Sequence, residues 1–297
     1  MARQNGISFW LFFTSFWIYI CPTLARQVTL YDSTRFSGLG WTTYPEPPGD
    51  ETYTGWTEQG SSYNRFYSVC QVRNPDASNG SWLRMPYIPR RLGNRIHVEI
   101  EFTMNSCTGI DDAHQCKETF ELFYHEAATN EPQYQPSWTE PPYTRIKRIA
   151  AETRFSDGDS MDHQANLAVE EFPTSANGFY LAFRDTGACM AITRVRVFYE
   201  VCAAKTESFA KFPETVTGAD LVSLVAVDGI CVTHAQQIGT LPIVARCQKF
   251  GVWTAFQGMC GCSPGFEADG QSCRGKSTLR IISEHFLPKQ YKKVLDA

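Results

Sequence analysis

Ten cysteines downstream of a hydrophobic leader constrain this chain more than any other feature. The 297-residue sequence holds eleven cysteines, and only Cys21 lies within the first 25 residues. Those residues combine a basic Arg3, an apolar stretch from Ile7 to Ile20, and small residues at Thr23 and Ala25. That is the pattern of a secretory signal peptide over 1–25, cut near Ala25. A membrane anchor needs a longer apolar core, and the polar Arg26-Gln27 leads directly into strand-like sequence. Cleavage leaves an even number of cysteines in an oxidising compartment, which implies about five disulfides.

The cysteines are unevenly spread. Residues 26–201 hold Cys70, Cys107, Cys116 and Cys189, whereas 202–273 hold Cys202, Cys231, Cys247, Cys260, Cys262 and Cys273. With 20 Phe, 13 Tyr and 7 Trp the chain can build true cores, so it is more than a disulfide scaffold. A large domain followed by small, bridge-dependent modules fits both facts. The net charge of −4 disfavours nucleic acid as a partner. After Ala25 no apolar stretch is long enough to cross a bilayer, so the mature chain is expected to be soluble.

The large domain reads as β throughout. Ile96, Val98, Ile100, Phe102 and Met104 alternate with Arg95, His97, Glu99, Glu101 and Thr103, a period of two with one buried face. Phe120, Leu122 and Tyr124 repeat the pattern, as do Phe179, Leu181 and Phe183, then Val195, Val197 and Tyr199. Turn-rich segments at 44–50 and 74–80 separate the strands. The expected fold is an all-β, antiparallel sandwich of jelly-roll type over 26–201.

Catalytic signals are weak. Gly270 to Ser277 fits the phosphate-loop pattern, with Gly275, Lys276 and Ser277 at its end. A working loop needs an apolar strand before it and a helix after it, but turn sequence precedes Gly270 and Cys273 sits inside. Nucleotide binding is therefore not expected. The histidines at 97, 114, 125, 163, 234 and 285 lack metal spacing and read as surface residues. Cys260-Gly-Cys262 is too close for the usual zinc pair. No nucleophile elbow occurs, and no carboxylate pair can be assigned to a cleft. The chain is expected to be neither an enzyme nor a cofactor or metal binder. Asn79-Gly-Ser81 is a glycosylation acceptor in a loop.

Several segments instead resemble the ligand-binding domain of Eph receptors, the receptor tyrosine kinases for ephrins. They are Val28-Thr-Leu-Tyr-Asp-Ser33, Gly40-Trp41, Tyr67-Ser-Val-Cys70-Gln-Val72, Trp82-Leu-Arg84, Cys116-Lys-Glu-Thr-Phe120 and the run from Gly178 to Cys189. They occur in family order. Phe209-Ala-Lys-Phe-Pro213 resembles the family's junction into its cysteine-rich region. Cys202, Cys231, Cys247, Trp253 and Cys260 resemble a sushi module over 202–260, and Cys260-Gly-Cys262-Ser-Pro-Gly-Phe266 resembles the opening of an EGF-like module over 261–273. The resemblance spans about 27–273 and leaves 274–297 as a mildly basic tail of unknown structure.

The resemblance implies the bridges Cys70–Cys189, Cys107–Cys116, Cys202–Cys247, Cys231–Cys260 and Cys262–Cys273, which spacing alone does not fix. It implies an ephrin as protein partner, whose protruding loop enters an apolar channel, together with receptor clustering at the cell surface. Phe66, Tyr67, Val69, Cys70, Cys189, Met190 and Ala191 are the expected wall, with Ile110 on a neighbouring loop. Val69 and Ala191 fit a strand core equally well. Where the family commonly carries Arg, this chain has Asn105. The family's fibronectin-type modules, membrane span and kinase do not follow Cys273 here. The expectation is a secreted or extracellular ephrin binder that meets membranes through an anchored ligand or a missing span, and possible decoy action. A secreted carbohydrate-binding jelly roll is the rival reading.

Overall fold

Alternation in the sequence becomes two antiparallel sheets packed face to face. The computed structural model describes residues 26–46, 55–72, 80–108, 116–130, 135–155, 165–220 and 222–276. The expected leader over 1–25, Asn79, Ile110, His114, His163, His285 and the residues from Ser277 onward lie outside the described residues.

The large domain contributes β1 (Arg26–Asp32), β2 (Thr42–Tyr44), β3 (Thr57–Ser61), β4 (Asn64–Cys70), β5 (Ser81–Arg84) and β6 (Ile88–Pro89). Then follow β7 (Arg95–Met104), β8 (Thr119–Ala127), β9 (Thr144–Ala150), β10 (Asn166–Pro173), β11 (Gly178–Asp185) and β12 (Cys189–Cys202). One sheet runs β10-β7-β12-β4-β3, and the other β2-β5-β11-β8-β9. The long β12 pairs β7 along one edge; its other edge takes β4 at 189–192 and β1 further along.

The expected alternation is visible as burial. Ile96, Val98, Ile100, Phe102 and Met104 are each at most 1% exposed, as are Phe179, Leu181 and Phe183 from the facing sheet. Phe102 meets Phe120 edge-on at 5.0 Å between the layers, and Trp41 stacks on Phe183 at 5.9 Å. Polar groups taken inside find partners: Trp56 donates to the Ser81 carbonyl at 3.0 Å, and Trp41 to the Tyr31 hydroxyl at 2.9 Å. Strands β3 and β4 form a hairpin. Gly60 stands beside its turn at φ +84°, where a Cβ would come within 2.1 Å of the Asn64 carbonyl oxygen.

Beyond Cys202 the chain forms small antiparallel sheets held by disulfides at Cys202–Cys247, Cys231–Cys260 and Cys262–Cys273. The phosphate-loop pattern falls on the last of them. Strands Phe266–Asp269 and Ser272–Gly275 form a hairpin with Gly270 in its turn at φ +59°. Ladder pairing therefore takes residues that a phosphate cradle would need.

One histidine departs from expectation. His97 lies on the outer face of β7 but is 7% exposed, because the turn at Lys249–Gly251 is among the elements covering that end of the sheet. Its ring stacks on Phe198, and Glu171, Glu200, Arg95 and Lys249 surround it. The ring nitrogens are 3.6 Å from Glu171 and 3.8 Å from Glu200, too long for hydrogen bonds. Burial therefore dominates and holds the imidazole pKa below its usual value, with Arg95 and Lys249 acting in the same sense against the two carboxylates.

A histidine with a depressed folded pKa adds stability above its unfolded value of about 6.5 and loses it as the pH falls. Acidification from pH 7 toward 5 is thus expected to loosen this seam, and His97→Gln to flatten the dependence. Hydrogen exchange at the Phe250 amide, which donates to Glu200 at 3.1 Å, reads it locally. A local probe is needed because burial pushes Asp185 up to about 6, which favours the folded state as the pH falls. Equal pH dependence in wild type and variant would refute the assignment.

Candidate ligand-binding cleft

Register builds the site. The Cys70–Cys189 bridge joins directly opposed residues of β4 and β12. Two residues back along β4, Ser68 faces Ala191, with Thr57 of β3 on one side and Thr103 of β7 on the other. The row Thr57–Ser68–Ala191–Thr103 thus crosses four strands with small side chains on the outward face. Small side chains between larger neighbours leave a trough.

The disulfide and Asn105 bound the trough at one end, and Gln59 and Phe66 at the other. Its volume is about 470 Å³. Its floor is ordered before any ligand arrives. Gln59 donates to the Ser68 hydroxyl at 2.7 Å. The Asn105 amide N–H donates to the Cys189 carbonyl at 2.8 Å, and its side-chain nitrogen lies 3.7 Å from the Cys189 sulfur. Cys107–Cys116 closes the neighbouring loop, and Glu118 accepts from the Cys107 amide at 2.9 Å.

The expected wall residues divide by strand parity. Phe66, Cys70, Cys189 and Ala191 line the trough, as does Asn105. Tyr67, Val69 and Met190 point the other way. They are only 4%, 3% and 4% exposed and belong to the core. Val69 and Met190 border the cleft, but their side chains pack inward because neighbours on a strand face opposite sides of the sheet. Tyr67 stacks on Trp41 at 5.2 Å, and burial pushes its hydroxyl pKa upward, with the nearby Glu58 charge adding to the effect.

Residues the sequence reading passed over take their places: Gly55, Thr57, Gln59, Ser68 and Thr103. The surface is consequently less apolar than the expected channel. It offers one aromatic ring, one disulfide and several uncharged hydrogen-bonding groups, and no described lining residue carries a formal charge. Such a site suits a protein loop that brings an apolar side chain together with backbone amides and carbonyls. Among the described residues no cluster of histidine, cysteine and carboxylate side chains is placed to hold a metal, and no helix is long and apolar enough to cross a membrane.

Comparison with known proteins matches the model of the ephrin receptor ligand binding domain to residues 28–202 and that of the ephrin cysteine rich domain to residues 203–262. Neither family is catalytic. Ephrin type-B receptor 2 of Gallus gallus is 39% identical over 274 residues, covering 89% of this chain and 27% of that protein. Ephrin type-B receptor 3 of Homo sapiens is 41% identical over 256 residues, covering 84% and 25%. The same receptor of Xenopus laevis is 39% identical, covering 82% and 25%. The chain thus spans about a quarter of the length of the curated relatives it matches. A solved carbohydrate-binding module of LamC from Zobellia galactanivorans is alike at TM-score 0.31 and 9% identity, covering 58% of this chain and 98% of that one. At that distance the likeness decides nothing about ligand.

Proposed function

The chain belongs to the Eph receptor family through its ligand-binding and cysteine-rich domains, and from that premise we propose that it binds an ephrin ectodomain by taking a protruding ligand loop into the trough between Phe66 and the Cys70–Cys189 bridge. The observation that carries the reading is the concave, pre-ordered surface lying within the matched ligand-binding domain. Phe66 supplies the buried aromatic contact. The disulfide fixes the opposing wall, which lowers the ordering cost of binding. Gln59, Ser68, Thr103 and Asn105 supply hydrogen bonds to the incoming backbone.

The same proposal divides the chain into a ligand-binding domain over 26–201, a sushi-like module over 202–260 and the opening of an EGF-like module over 261–273. It places these extracellularly, as the ectodomain portion of a receptor for cell–cell signalling that clusters with its ligand. Added to cells as the 297-residue chain, it occupies ephrins and denies them to membrane receptors. Loss of ephrin-induced receptor phosphorylation measures that decoy action.

Binding of the purified chain to a panel of ephrin ectodomains tests the reading, with a one-to-one complex expected for at least one member. Asn105→Arg sharpens it. Asn105 stands at the rim, and a guanidinium there can form a charge-assisted bond to an acidic ligand residue, worth about 1 kcal/mol or more over a neutral one. Binding is expected to strengthen by roughly fivefold to tenfold and to become more salt-sensitive. Failure of both forms to bind any ephrin, with saturable binding on a glycan array, would transfer the trough to the carbohydrate reading.

A further inference from the structure

The trough lies on the outer face of the β10-β7-β12-β4-β3 sheet. The outer face of the other sheet carries a different assembly, centred on Glu121 of β8. Glu121 is 3% exposed. Register sets Arg184 of β11 on one side of it and Arg148 of β9 on the other. Arg145, opposite Phe123, reaches the same carboxylate from the next position. One carboxylate oxygen accepts from Arg145 at 2.8 Å and from Arg148 at 2.9 Å, while the other accepts from Arg184 Nε at 2.8 Å and from its Nη2. Against the upward push of burial, the three arginines hold Glu121 down at about 2.

A buried carboxylate needs one counter-charge. Arg184 supplies it through two N–H groups and is anchored over the rings of Trp82 and Phe123, each 5.2 Å away. Arg145 and Arg148 exceed that need. Their side chains are 43% and 63% exposed, yet both stay extended onto one oxygen. Holding two long side chains in place costs rotamer entropy, and three guanidiniums around one carboxylate repel each other. Lys147 is exposed between them, and Glu140 is the acidic neighbour acting on Arg145. Charge on an edge strand discourages strand-to-strand aggregation, which accounts for Lys147. It does not account for three guanidiniums converging on one carboxylate.

We propose that Arg145, Arg148 and Arg184 form a second binding site, on the opposite face of the sandwich from the trough, for the sulfate groups of an acidic extracellular polysaccharide. Glu121 orders the guanidiniums, and the outward edges of Arg145 and Arg148 present paired N–H donors that suit the oxygens of a sulfate. The net charge of −4 makes this a local attraction rather than one of the whole molecule. The choice of ligand rests on the extracellular reading but not on ephrin binding.

Immobilised heparin is the probe, with the full chain as analyte at low and at physiological salt. Saturable, salt-sensitive binding is expected, at least tenfold weaker for Arg145→Gln with Arg148→Gln. That double variant leaves Arg184 on Glu121, and its melting temperature and ephrin binding report the fold. Should it melt early, Arg148→Gln alone, at the most exposed of the three, is expected to weaken heparin binding about threefold. The basic tail is controlled by Lys289→Gln with Lys292→Gln and Lys293→Gln, expected to bind heparin as wild type does. The proposal is overturned by no heparin binding, by undiminished binding in a folded Arg148 variant, or by loss of binding in the tail variant. It is equally overturned by equal binding of desulfated heparin, or by binding to phosphatidylserine vesicles without binding to heparin.

Discussion

Phe66→Asp and Met190→Asp are expected to part company completely, although both positions border the same cleft. Phe66 is half-buried on the outward face, so an aspartate there meets solvent in the free protein and the sandwich stays folded. In the complex that charge must be desolvated against the ligand loop, a cost of several kcal/mol unless it is paired. Ephrin binding should fall by roughly a hundredfold or more, since each ~1.4 kcal/mol is tenfold. Met190 is 4% exposed and sits in the core beside Met104 of β7 and Val69 of β4. An aspartate there loses a large apolar side chain and buries a charge. The combined cost approaches the ~5–15 kcal/mol that holds a domain together. No cooperative melt and no monomeric peak on size exclusion are expected. A folded Met190→Asp that merely fails to bind ephrin would show that Met190 faces the ligand after all.

That contrast also marks what the sequence made legible. Burial of one face of β7 could be read directly, because five apolar residues at a period of two admit only one inner side. Parity was equally available at the site. Cys70 and Val69 are neighbours on one strand, so they cannot both face the ligand. Taking the bridge implied by the family resemblance, and stepping two residues back from Cys70 and two forward from Cys189 as an antiparallel pair requires, would have found Ser68 opposite Ala191. Thr57 and Thr103 were out of reach, since their places in the row depend on the β3 and β7 registers, which no bridge fixes. His97 fails for a different reason. Alternation identifies the outward face, but what covers it comes from Lys249 and Phe250, some 150 residues later. The Glu121 cluster likewise joins β8, β9 and β11, and only the folded sheet brings its arginines together.

Removing the Cys70–Cys189 bridge, by Cys70→Ala with Cys189→Ala, is expected to cost the large domain more than removing Cys107–Cys116. The first closes a sequence separation of 119 residues and the second one of 9. Loop-closure entropy in the unfolded chain gives about 5 kcal/mol for the long loop and nearly 3 for the short one, a gap of about 2 kcal/mol. Urea midpoints at unchanged slope measure it. The functional consequence should exceed the difference in stability. Cys70–Cys189 pins β4 to β12 where the trough ends, and Asn105 is tied to Cys189 through its backbone amide. Without the bridge, part of that wall must be ordered at the moment of binding, and affinity falls accordingly. A loss of tenfold or more in ephrin affinity is expected while the variant remains folded, and it should appear mainly in the dissociation rate. The Cys107–Cys116 variant keeps the row Thr57–Ser68–Ala191–Thr103 intact and should lose less. Equal losses in the two variants would mean that ligand contacts lie chiefly outside the row, on the loop that Cys107–Cys116 closes.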